Sequence, residues 1–118
     1  MNSSAAAHEK NTWVDVCSLH DLVEHSGITA LIDEQQVAIF YLPDTAQAVY
    51  ALDNFCPAAR ANVLARGLVG DINGELVVAS PLYKEHFSLQ TGKCLEKPLQ
   101  VRAWPVSIQG DRVLVMAA

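Results

Sequence analysis

The sequence predicts an all-β domain of stacked antiparallel sheets, a sandwich or barrel. Three observations predict it. Apolar and β-branched runs are short, turn residues punctuate them at regular intervals, and almost no stretch carries helical periodicity.

The elements follow in order. Residues 1–11 are small, polar and aperiodic, and read as a flexible leader to a single domain over 12–118. Thr12 to Val16 has the β-branched and aromatic content of a first strand. Ser18 is placed to cap a short helix from Leu19 to Glu24, with Asp21 completing the cap and Gly27 ending it. Val37 to Leu42 is continuously apolar, which predicts a strand covered on both faces. Pro43-Asp44 turns the chain, and Val49 to Leu52 returns as the partner strand. Residues 53–67 form a first loop with a helical turn near Asn62 to Ala65. Asn73-Gly74 is a type I′ hairpin signal joining Leu68–Ile72 to Glu75–Ala79. A second loop precedes a short strand, Phe87 to Gln90, and a turn at Thr91-Gly92. Val101 to Gln109 and Arg112 to Met116 close the domain about Gly110-Asp111, where glycine first suits a type II′ turn. Pro105 marks an edge or a bulge in that hairpin.

Composition limits the function classes. The chain has 118 residues, 51% of them hydrophobic, enough for one core without disulfides or metal. Its net charge of −5 disfavours nucleic acid and anionic membrane surfaces as partners. The first residues lack a signal-peptide apolar core, and no run reaches membrane-spanning length. Three widely spaced cysteines, Cys17, Cys56 and Cys94, read as reduced thiols of a cytoplasmic protein. His8, His20, His25 and His86 show no metal-ligand spacing. Gly67-Leu68-Val69-Gly70 opens a strand, so it is no phosphate loop.

Two segments carry a resemblance. Ser80-Pro81-Leu82-Tyr83-Lys84-Glu85-His86-Phe87-Ser88-Leu89-Gln90-Thr91-Gly92 resembles the second cluster loop of Rieske proteins, Cys-Pro-x-His-Gly-x-x-Phe-Asp-Leu-x-Thr-Gly. Cys56-Pro57-Ala58-Ala59-Arg60 resembles the first, Cys-Pro-His-x-Gly. The resemblance sharpens the fold to the Rieske-like one, with both loops at one tip. It also marks four vestigial ligand positions: Cys56, Ala58, Ser80 and Tyr83. A Rieske centre holds one iron by two thiolates and the other by two imidazoles. Of the four positions only Cys56 matches in donor type, so no cofactor-binding and no metal site is expected.

Within the Rieske-like proteins, the small subunits of cytoplasmic NAD(P)H nitrite reductases are the most similar branch. The likeness runs over residues 12–116 and includes Ala51-Leu52-Asp53-Asn54 and Arg66-Gly67-Leu68-Val69-Gly70. It implies an oxidoreductase subunit of nitrite assimilation with no catalytic residue of its own. It implies a large subunit that carries FAD, an iron–sulfur cluster and sirohaem and reduces nitrite to ammonium. The alternative is a cluster-free interaction module that regulates another redox enzyme.

Arg60, Tyr83, Lys84 and His86 are the expected partner contact, since Tyr and Arg are favoured at binding hot spots. The plainer expectation is a polar loop in which Tyr83 plugs the space left by a cluster and His86 satisfies a backbone carbonyl. The two are compatible. For Cys56 the plainer role is that of a small buried hydrophobe, as no nearby base is legible to activate it.

Overall fold

The computed structural model describes residues 12–117. The leader expected over residues 1–11 lies outside them. Twelve strands occur among the described residues: β1 Trp13–Ser18, β2 Ser26–Ile32, β3 Gln35–Tyr41, β4 Val49–Asp53, β5 Phe55–Cys56, β6 Ala61–Asn62, β7 Leu68–Ile72, β8 Glu75–Ala79, β9 His86–Ser88, β10 Ala103–Trp104, β11 Val106–Gln109 and β12 Arg112–Met116. They form antiparallel sheets in the orders β1-β12-β11, β10-β4-β3-β2 and β7-β8-β9, plus the small ribbon β5-β6. No helix among the described residues is long and apolar enough to cross a membrane.

Strand β3 explains its own apolar run. Ala38 and Phe40 face one cluster, with Tyr50, Leu52, Cys56, Leu64 and Phe87. Val37 and Ile39 face the other, with Val49, Ala51, Trp104, Val113 and Val115. Successive side chains of a strand point to opposite faces. A strand between two packed layers therefore needs apolar residues at every position, and all four are fully buried.

The predicted turns form as their residues require. Asn73 and Gly74 both take positive φ (52° and 89°), as a type I′ turn demands. At the last hairpin Gly110 has φ 63° and Gln109 pairs with Arg112. Pro105 stands where the chain changes sheets: β10 pairs with β4, whereas β11 pairs with β12.

Three expectations need correction. The single strand expected from Val101 to Gln109 is two, β10 and β11, because Pro105 interrupts it as the chain changes sheets, and Val101 and Arg102 lie outside both. The helix from Leu19 to Glu24 is a single 3-10 turn, Leu19–Asp21. Its cap is as expected. Asp21 accepts from the Ser18 N–H at 2.9 Å, and the Ser18 hydroxyl accepts from the His20 N–H at 3.1 Å. The chain is already extended at Leu22 (ψ 148°), because it must enter β2. Gly27 ends no helix. It lies inside β2, where a Cβ would sit 2.7 Å from the Ala65 carbonyl oxygen and 2.8 Å from the Phe40 ring. The sequence pattern gave no sign of β2 itself, which pairs with β3 from Ser26↔Tyr41 to Ile32↔Gln35.

Candidate functional site

The two resembling segments fold as twin loops. Cys56-Pro57-Ala58-Ala59-Arg60 closes when the Arg60 N–H donates to the Cys56 carbonyl at 2.7 Å. Ser80-Pro81-Leu82-Tyr83-Lys84 closes when the Lys84 N–H donates to the Ser80 carbonyl at 2.9 Å. Each loop ends on a cation in the left-handed region, Arg60 at φ 56° and Lys84 at φ 64°. A side chain with a Cβ is disfavoured there by roughly 1–2 kcal/mol. In the family pattern, glycine holds both positions.

The first residues of the two loops meet. The Cys56 thiol donates to the Ser80 hydroxyl at 3.5 Å, and both residues are buried. Asn54 anchors the first loop from below. Its side-chain oxygen accepts from the Ala65 N–H at 2.7 Å, and its amide donates to the Gln36 side chain at 3.0 Å. The Leu64 N–H donates to its carbonyl at 3.1 Å.

Charge pairs hold the second loop. The Ser80 N–H donates to the Glu85 carbonyl at 2.8 Å. The buried Glu85 carboxylate meets the Lys97 ammonium at 2.7 Å, and that hydrogen bond holds its carboxyl below the usual carboxylate range. Glu96 accepts the His86 backbone N–H at 2.9 Å and lies 2.6 Å from its ring Nδ1. These two bonds, the backbone one first, hold the Glu96 carboxyl low as well.

The four vestigial positions are only partly brought together. Cys56 and Ser80 touch; Ala58 is half-buried against the core and offers no donor atom. Tyr83 is 63% exposed, so it does not plug the space between the loops. The direct Cys56–Ser80 contact joins the loop roots instead, and the phenol stays in solvent. His86 bonds a carboxylate rather than a backbone carbonyl.

This donor set does not fit a [2Fe–2S] cluster of two thiolates and two imidazoles. It offers one thiol, a hydroxyl already hydrogen-bonded to that thiol, an outward-facing phenol and an alanine. Among the described residues, no group of three or more His, Cys, Asp or Glu is placed to hold a metal ion.

Of the expected contact residues, Lys84 and His86 line one groove, and Arg60 and Tyr83 lie outside it. The groove also takes in Arg66 and Leu68, which the sequence did not single out as site residues. Gly67 between them brings this about. A Cβ there would lie 2.2 Å from the Ala79 carbonyl oxygen, so the bare backbone packs against the end of β8.

A family model described as the Rieske-like [2Fe-2S] domain matches residues 12–116. The chain is 43% identical over 84 residues to the nitrite reductase (NADH) small subunit of Escherichia coli (strain K12), covering 71% of this chain and 77% of that one. It is 44% identical over 104 residues to a Klebsiella oxytoca protein named nitrite reductase [NAD(P)H] large subunit. That match covers 87% of this chain, which spans only 11% of the relative. A crystal structure from Mycobacterium tuberculosis, named as an NADH-dependent nitrite reductase small subunit, superposes with a TM-score of 0.81 at 36% identity. It covers 88% of this chain and 93% of that one. Sequence and overall fold agree, and the chain belongs to the Rieske-like [2Fe-2S] domain family, in its nitrite reductase small-subunit branch.

Proposed function

We propose that this chain is the accessory small subunit of a cytoplasmic NAD(P)H nitrite reductase, the enzyme that reduces nitrite to ammonium. In this reading it holds no cluster and no catalytic residue. FAD, the iron–sulfur centre and sirohaem belong to the large subunit. Its physical role is to bind the large subunit in its competent arrangement. A partner that binds one state preferentially raises that state's population.

One observation carries the reading. A stretch similar to 87% of this chain lies within a relative named as the large subunit, whereas a separate short relative is named as the small subunit. A domain found joined to the large chain in one protein is expected to sit beside it in another. The contact falls on the loop tips, Arg60 and Tyr83 with Lys84 and His86.

The test is a pull-down of this chain from nitrite-grown cells, assayed for nitrite-dependent NAD(P)H oxidation. Activity co-eluting with a sirohaem flavoprotein supports the subunit reading; an unrelated partner without nitrite turnover rejects it. Tyr83→Ala combined with Lys84→Glu weakens the assembly if the tip is the contact. Unchanged co-purification and activity in that double variant reject the contact assignment.

A further inference from the structure

Two cavities flank the start of β7 and share Leu68, which is 80% exposed. They differ in charge. The cavity of about 380 Å³ on one side is lined by Asp44 and Asp71 with His25. The cavity of about 360 Å³ on the other side is lined by Arg66, Leu68, Ala79, Ser80, Pro81, Lys84 and His86, with no carboxylate among them. That is notable in a chain of net charge −5.

The floor of the second groove is built by sheet register. Leu68 pairs with Ala79 and Ala79 with His86, so one row crosses all three strands. Pro81 extends the apolar surface at the loop. Among the described residues, the Arg66 guanidinium and the Lys84 ammonium have no hydrogen-bond or ion-pair partner. Lys84 sits at the lip in the left-handed conformation, where glycine would be unstrained.

We propose that this groove is the docking site for an acidic, apolar-flanked segment of the large subunit, with a carboxylate on the Arg66 and Lys84 lip and apolar side chains over Leu68. The inference rests on the subunit reading and names the partner chemistry of that interface. Charge complementarity selects an anion, because two unpaired cations and no carboxylate line the groove, the Glu96 carboxylate bonded to His86 lying outside that lining. The apolar surface selects a protein segment over a small anion. Leu68 and the exposed Pro81 of the groove lining would stay wet around a free ion, whereas a polypeptide covers them.

Binding of the full chain to the purified large subunit, measured at low and high salt, tests this. Arg66→Glu with Leu68→Ser alters the groove and leaves Arg60, Tyr83, Lys84 and His86 intact. This variant is expected to weaken binding by roughly a hundredfold and to flatten the salt dependence. Lys93→Glu reverses an exposed cation that does not line the groove, and retains wild-type affinity. Wild-type binding that the double variant matches within about twofold, at a rim-charge interface, overturns the groove assignment alone. A wild-type chain that fails to bind the large subunit overturns the subunit reading and this inference with it.

Discussion

The Cys56 thiol and the Ser80 hydroxyl, 24 residues apart in the chain, form a buried hydrogen bond of 3.5 Å at the root of both loops. A thiol and a hydroxyl are in contact where the family pattern has two cysteines. The twin N–H to carbonyl closures at Arg60 and Lys84 stand above that contact. Core packing and backbone hydrogen bonds hold this frame.

The left-handed cations give the first prediction. Arg60→Gly and Lys84→Gly each relieve a disfavoured φ and offset it partly by freeing the unfolded chain. Each is expected to stabilise the protein by about 0.5–1 kcal/mol, read by urea unfolding. A loss of stability in either would show that its side chain supports the fold. If Lys84 is kept for its charge, Lys84→Gly gains stability and loses affinity for the large subunit.

Asn54 is the second. Replacement by Ala leaves the Ala65 N–H without its acceptor and the Gln36 side chain without its donor. Unfolding should become easier by about 1–3 kcal/mol. Hydrogen exchange should quicken first at Leu64 and Ala65, the turn that Asn54 holds. Unchanged exchange there would dissociate Asn54 from the first loop.

Much of this frame was legible in the sequence, and the exceptions have physical causes. Asn73-Gly74 and Gly110-Asp111 announced their hairpins because those residues tolerate positive φ. The β2–β3 hairpin was not announced, because its turn is Asp33-Glu34, at φ 50° and 66°, where glutamate stands in place of the glycine that marks such a turn. Gly27 and Gly67 are glycines for close backbone approach, and a sequence shows neither the Ala65 nor the Ala79 carbonyl they face. The loop tips were legible from the resemblance. The groove was not, because Arg66 and Lys84 come to one groove only through the Leu68–Ala79 register.

Gly67 supplies the third prediction. A methyl group there meets a backbone oxygen, which cannot move aside as a side chain can. Gly67→Ala should cost about 1–3 kcal/mol and weaken large-subunit binding through displacement of Arg66 and Leu68. Wild-type stability and binding would show that the start of β7 moves without consequence.

The fourth concerns pH. The Lys97 hydrogen bond lowers the Glu85 carboxyl from its ordinary 4.5, and the same bond raises Lys97 from 10.5. A depressed carboxyl pKa stabilises the fold above the unfolded value and loses that contribution as pH falls through the folded value. A raised ammonium pKa contributes below its unfolded value and loses it as pH rises through the folded one. The stability gap between wild type and Glu85→Gln should therefore be widest between about pH 5 and 10 and close on the acid side below 4.5. A gap independent of pH would contradict the pairing.

Native mass spectrometry of this chain co-purified with the large nitrite reductase subunit tests the central claim most directly, because it reads association and cofactor content together. The account predicts a complex active toward nitrite, from which this chain dissociates at the mass of its polypeptide alone. Release of this chain carrying iron and sulfide, or an active large subunit that never retains it, would contradict the account.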